Sequence, residues 1–140
     1  MRRKSKNSTT QNKKVRNATP CEEDGIKFKS KLELFCYRKL KEHNIEAAYE
    51  ENRYTLLDKF EYNGEKVRAM TFTPDFVGET FVIECKGNMN DAFPLRWKLF
   101  KYHLRDIFGL KGPKLYLPRN QKQVLEVIEE LNSEQNTTSK

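Results

Sequence analysis

Asn63-Gly64 admits positive φ at two successive positions, which is what a tight two-residue hairpin turn demands. Residues 53–62 and 65–72 on either side are rich in Tyr, Thr, Phe, Leu, Val and Met, types suited to a pleated, half-buried surface. The middle of the chain is therefore expected to be antiparallel. A second strand pair is expected directly after it, Ala69 to Phe76 and Thr80 to Lys86, joined by a type II′ turn at Gly78-Glu79. That turn pairs Val77 with Thr80 and Asp75 with Val82, and the whole reads as a three-stranded meander.

Helical periodicity brackets these strands. Phe28, Leu32, Phe35, Cys36 and Leu40 recur at three- and four-residue steps, and Ser30 with Glu33 forms a capping box that starts a helix at Lys31. His43-Asn44 ends it. Phe93-Pro94 opens a second helix through Trp97, Phe100, Leu104, Ile107 and Phe108, with Gly109 as its stop. Lys114 to Leu117 is a short strand closed by Pro118, and residues 121–131 form a last amphipathic helix through Val124, Leu125, Ile128 and Leu131. The expected order is helix, three strands, helix, strand, helix. This is an α/β sandwich around a mixed sheet flanked by helices.

Charge is distributed unevenly. Of the 27 Lys and Arg residues, seven (Arg2, Arg3, Lys4, Lys6, Lys13, Lys14 and Arg16) precede residue 22 with no acid among them, so the remaining 20 basic and 20 acidic side chains make a formally neutral body. The first segment is too polar to bury a core, and residues 1–24 are read as a disordered basic arm that contacts nucleic-acid phosphates or serves only for solubility. Residues 25–133 are read as one domain and 134–140 as a frayed tail. No apolar run approaches the ~20 residues of a membrane helix. The basic start runs into Asn, Ser and Thr, so no secretory signal is expected and a cytoplasmic location is. Three scattered cysteines, Cys21, Cys36 and Cys85, fit neither a disulfide framework nor a zinc site and read as free thiols. His43 and His103 lack ligand spacing too.

Alternation along Phe81 to Lys86 sets Phe81, Ile83 and Cys85 on one face and Val82, Glu84 and Lys86 on the other. The expected hairpin adds Asp75 to the second face, one diagonal step from Glu84. Two close carboxylates repel one another but together offer oxygen ligands to Mg²⁺, and such an ion polarises a phosphoryl oxygen and acidifies a bound water. Lys86 would orient that water or stabilise transition-state charge. The plain alternative is a surface Glu-Lys pair beside an unrelated Asp.

Thr73-Pro74-Asp75-Phe76 and, nine positions on from Asp75, Glu84-Cys85-Lys86-Gly87 resemble the Pro-Asp…(Asp/Glu)-x-Lys motif of the restriction-endonuclease-like, PD-(D/E)XK, nuclease superfamily. Ser30-Lys31-Leu32-Glu33 is similar to its helical glutamate, and the element order is similar to its αβββαβ core. The narrower likeness is to small phage-encoded Holliday-junction-resolving nucleases of the endonuclease I type. The resemblance implies a Mg²⁺-dependent (Mn²⁺ substituting) endodeoxyribonuclease acting on branched DNA. It also implies Glu33, Asp75 and Glu84 as metal ligands, Lys86 as catalytic lysine, and as partners DNA and, compatibly, a second copy, without a membrane; if phage-encoded, the protein would act in the host cytoplasm. Glu33 has a rival role as the third residue of the capping box. Arg96, Lys98, Lys101 and Arg105 on the helix after the motif are candidate phosphate contacts or a solvated face. Trp97, Phe100, Tyr102 and Phe108 are read as core in preference to a base-stacking platform. Two other functions stay open: a nuclease for linear, nicked or mismatched DNA, and a non-catalytic DNA-binding module.

Overall fold

The computed structural model describes residues 21–138. Residues 1–20, with all seven basic side chains of the arm, lie outside the described residues. The described body starts four residues inside the expected arm, because Asp24 (φ 53°) and Gly25 (φ 76°) turn β1 (Cys21–Glu23) back onto β2 (Ile26–Phe28). Phe28 is buried beneath this hairpin. Ser30 then caps α1 (Lys31–Glu42) by accepting the Glu33 amide at 3.1 Å, and His43 closes the helix.

The expected meander is broken into pieces. After β3 (Ala48–Tyr49), β4 (Tyr54–Leu57) and β5 (Phe60–Tyr62) lead to the Asn63-Gly64 turn, whose φ values of 50° and 79° are those of the expected hairpin. The returning β6 (Glu65–Val67) pairs with β5 and β7 (Met70–Phe72) with β4. Buried Pro74, which has no N–H to donate, then separates β7 from β8 (Phe76–Val77). Of β4 to β8, only β8 joins the main sheet. That sheet runs β10-β9-β8-β3, with β9 (Phe81–Ile83) antiparallel to β8 and parallel to β10 (Lys114–Tyr116), so it is mixed as expected. The parallel crossover is α2 (Phe93–Phe108), and the chain ends in α3 (Gln121–Thr138), which continues through the residues expected to fray.

Helices cover both faces of the sheet. Phe76, Phe81, Ile83, Cys85 and Tyr116 pack with Leu34, Cys36 and Leu40 of α1 and with Val124, Ile128 and Leu131 of α3. Val82 faces the other way, into Phe93, Trp97, Phe100 and Leu104 of α2 with Phe72. This is the alternation expected for the β9 segment. Ile107 and Phe108, placed on the buried stripe of α2 by their spacing, are about half exposed, as are Leu125 of α3 and Tyr102. Cys21, Cys36 and Cys85 are free. No described helix is long and apolar enough to cross a membrane.

Candidate active site

Val77 lies opposite Val82 and Phe76 opposite Ile83, so continuing the register sets Asp75 opposite Glu84. The sequence-based pairing was two residues out. A shift of two leaves every side chain on its face, which is why Asp75 and Glu84 still converge, and more closely than the diagonal step expected. The error arose at Gly78. Its φ is not positive, and its amide instead bonds the Phe81 carbonyl at 2.9 Å, closing a longer turn than the expected II′. Glycine is required there for space, since a Cβ would stand 2.2 Å from the Phe81 ring.

On the other side of β8, Ala48 pairs with Val77 and Tyr49 with Phe76. Glu50 continues this edge in a left-handed conformation (φ 48°), its amide donating to the Asp75 carbonyl at 2.9 Å. Glu50, Asp75 and Glu84 thus form one row across three strands, at the end where the ladder stops. Glu33 reaches the same place from the first turn of α1. Its Oε2 accepts the Tyr49 hydroxyl at 2.6 Å and the Lys29 amide at 3.2 Å. The Tyr49 ring is set for this between Phe28 and Phe76, with centroids 4.7 and 5.2 Å away. Glu33 therefore does serve the helix start, although it bonds Lys29 and not the Ser30 amide of a full capping box. It also stands at the acidic row, so the two roles are compatible.

Glu33, Asp75 and Glu84 are buried at 7%, 4% and 4% exposure, levels that acidic side chains rarely reach unless paired. One carboxylate oxygen each from Glu33, Glu50 and Asp75 lie within 4.8 Å of one another. The Asp75 Oδ2 accepts the Cys85 amide at 2.8 Å, whereas Glu84 Oε2 is buried with no partner among the described residues. Burial first, then the charges of Glu84 and Glu33, pushes the Asp75 carboxyl far above the usual range. Burial likewise raises Glu84, against the opposing pull of Lys86. Tyr49 is raised by burial and by its bond to Glu33.

Lys86 Nζ stands 3.8 Å from Glu84 Oε1 and 4.7 Å from the centre of the Phe93 ring, at the start of α2. Its backbone is held on both sides, by its amide on the Pro118 carbonyl (3.0 Å) and by Arg119 Nε on its own carbonyl (2.6 Å). Arg96, Lys98, Lys101 and Arg105 are all exposed, with Lys98, Lys101 and Arg105 along one side of α2 at helical spacing. Arg2, Arg3, Lys4, Lys6, Lys13, Lys14 and Arg16 fall outside the described residues. Sequence reasoning missed Glu50, Lys29 and Arg119. Lys29 Nζ is 2.9 Å from Glu50 Oε1. A two-residue strand carries no readable alternation, and nothing in the sequence marked Glu50 as its continuation.

A concavity of about 1060 Å³ lies at the β8–β9 turn, lined by Glu46, Gly78, Glu79, Thr80 and others, and contains none of the four motif residues. A family model described as "protein of unknown function (DUF1064)" matches residues 12–115. The chain belongs to the DUF1064 family. Its matched span includes every member of the acidic row, both flanking lysines and all of α2, while Arg119 and α3 lie beyond it. No curated protein and no solved structure matches this DUF1064 chain.

Proposed function

We propose that this protein is a divalent-metal-dependent endodeoxyribonuclease of restriction-endonuclease-like fold, hydrolysing phosphodiester bonds in DNA, with branched junctions as its substrate class. The observation that carries the reading is the cluster of Asp75 with Glu33 from α1, beside which Glu84 stands opposite Asp75 on the neighbouring strand, with Lys86 two residues along the Glu84 strand face. Burying three carboxylates together is unfavourable without positive charge among them. The donor set fits a hard cation, being all oxygen and including the buried, unpartnered Glu84 Oε2.

Glu33, Asp75 and Glu84 would hold Mg²⁺, with Mn²⁺ as a substitute. When bound, the ion would supply charge neutralisation at a phosphoryl oxygen and acidify a water. The chain's own groups do the positioning. Tyr49 orients Glu33, and the Cys85 amide fixes one Asp75 oxygen while leaving the other available. Lys86, braced on the Phe93 ring and held through its backbone, presents an ammonium beside Glu84, where negative charge on the reacting phosphate would develop. The basic side of α2 and the arm would contact flanking phosphates, which position DNA without reading its sequence.

The deciding measurement is cleavage of four-way, three-way, single-stranded and linear DNA with Mg²⁺ and with EDTA. Wild-type protein should cut a branched substrate in Mg²⁺ alone. Asp75→Asn, Glu84→Gln and Lys86→Ala should each lower the single-turnover rate by orders of magnitude with the fold retained. Near wild-type cleavage by a folded Asp75→Asn protein would remove the assignment.

A further inference from the structure

Glu50 lies outside the motif that singled out the other acids, yet its carboxylate closes the row. The oxygens of Glu33, Glu50 and Asp75 lie within 4.8 Å of one another. Three oxygens spaced equally around one ion stand about 3.6 Å apart at Mg²⁺ and about 4.2 Å apart at Ca²⁺, so a hard cation entering this group would draw each oxygen inward by less than about 1 Å. A second observation also points to a cation. Glu84 Oε2, buried and unpartnered, belongs to the carboxylate facing Asp75, and its charge and those of Asp75 and Glu33 act on one another. A positive group already stands at the rim: Lys29 Nζ is 2.9 Å from Glu50 Oε1.

We propose that Glu50 is a further cation ligand of this centre and that Lys29 is the internal counter-ion it releases when the cation enters. The inference uses the same cluster as the proposed nuclease site but concerns a different residue pair. Glu50 is anchored for the role by its amide on the Asp75 carbonyl, so its carboxylate stays at the row when its partner leaves. Lys29 is anchored only by its backbone, through the amide bond to Glu33 Oε2, and its side chain is 73% exposed. An exposed ammonium of this kind is held weakly and exchanges readily for water or for an anionic phosphate. Cation binding would therefore free a lysine at the edge of the site where substrate phosphates arrive.

The test is Mn²⁺ titration of the full-length, DNA-free protein, with free Mn²⁺ read by electron paramagnetic resonance. Lys29→Gln should tighten Mn²⁺ binding about two- to fivefold, the scale of an exposed ion pair. Lys29→Arg should leave it near wild type, and Lys27→Gln, the same charge removed from exposed β2, should change it less than Lys29→Gln. Glu50→Gln should weaken it roughly tenfold or more. The Lys29→Gln effect should vanish in the Glu50→Gln background. Equal effects of Lys27→Gln and Lys29→Gln, persistence of the Lys29 effect without Glu50, or unchanged affinity in a folded Glu50→Gln protein would each overturn the proposal. Because the readout is cation binding, this pattern in a protein that cuts no DNA would uphold the inference and remove the nuclease reading, and cleavage with Mn²⁺ affinity insensitive to Glu50 would do the reverse.

Discussion

Asp75 and Glu84 are held in a state that favours their protonated forms, and this makes the cation-free protein's stability depend on pH in a stated direction. Both carboxyls have folded-state values above those of the unfolded chain, the pair reaching about 7 for Glu84 and about 9 for Asp75. A raised value means stability that is fully present below the unfolded carboxyl range of about 4 and is lost as pH rises through the folded values. In the absence of divalent ions, the melting temperature should therefore fall between pH 5 and 9 by more than in the Asp75→Asn/Glu84→Gln protein, whose row carries less charge. Saturating Mg²⁺ should remove most of that difference. Parallel melting curves for the two proteins in EDTA, followed by calorimetry, would show that the buried carboxylates cost nothing. These two acids were legible in the sequence because strand parity survives a two-residue register error. Glu50 was not, because its place depends on one left-handed residue at the end of a two-residue strand.

Among the elements, α1 and the β8–β9 turn carry the most testable structure. Ser30→Ala removes the acceptor for the Glu33 amide and should cost about 0.5–2 kcal/mol of stability with cleavage little changed. Glu33→Gln keeps an acceptor for Lys29 and Tyr49 but loses the charge, so it should melt close to wild type while losing cleavage and Mg²⁺ affinity. A Glu33→Gln protein with unchanged cleavage across a Mg²⁺ titration would confine Glu33 to the helix start. Gly78→Ala would drive a methyl into the Phe81 ring, which is 5% exposed in the core, and should cost about 1–3 kcal/mol by denaturant melt. A destabilisation of only a few tenths would mean that the turn relaxes freely. Helix limits were readable because periodicity, a serine cap and Gly109 agreed, and the Asn63-Gly64 hairpin was readable because only a few residue types tolerate its φ values. Pro74 was read as part of a motif and not as the residue that divides one expected strand into two, so the separation of β4 and β7 from the main sheet went unforeseen. Cys21 to Phe28 was missed because the apolar content of its two three-residue strands is too low to show alternation.

At the scale of the whole molecule, the expected sandwich and mixed sheet are present, and the proposed function requires a body with 20 acidic and 20 basic side chains beyond residue 21 to draw a polyanion to a row of carboxylates. The place where the arm joins bears on this. Cys21 Sγ lies 3.4 Å from the Ser30 carbonyl, at the same end of α1 as Lys29 and Glu33, so the first described residue stands at the end of α1 that carries the proposed site. On the proposed function, the seven basic side chains that precede Cys21 would contact phosphates flanking the one to be cut, with the gain coming from displaced counterions. Deleting residues 1–20 should weaken DNA binding and flatten the slope of log affinity against log salt by about 0.9 for each duplex phosphate that the arm had neutralised, or roughly 3 to 4 if four of the seven charges are engaged. The saturated single-turnover rate should hardly move, because such an arm stabilises ground and transition states alike. Binding of a fluorescent four-way junction in Ca²⁺, which suppresses cleavage, would be compared for the intact and shortened proteins over a salt series. Equal slopes would show that the arm touches no phosphate, and the basic side of α2, Lys98, Lys101 and Arg105, would then have to carry the salt dependence alone.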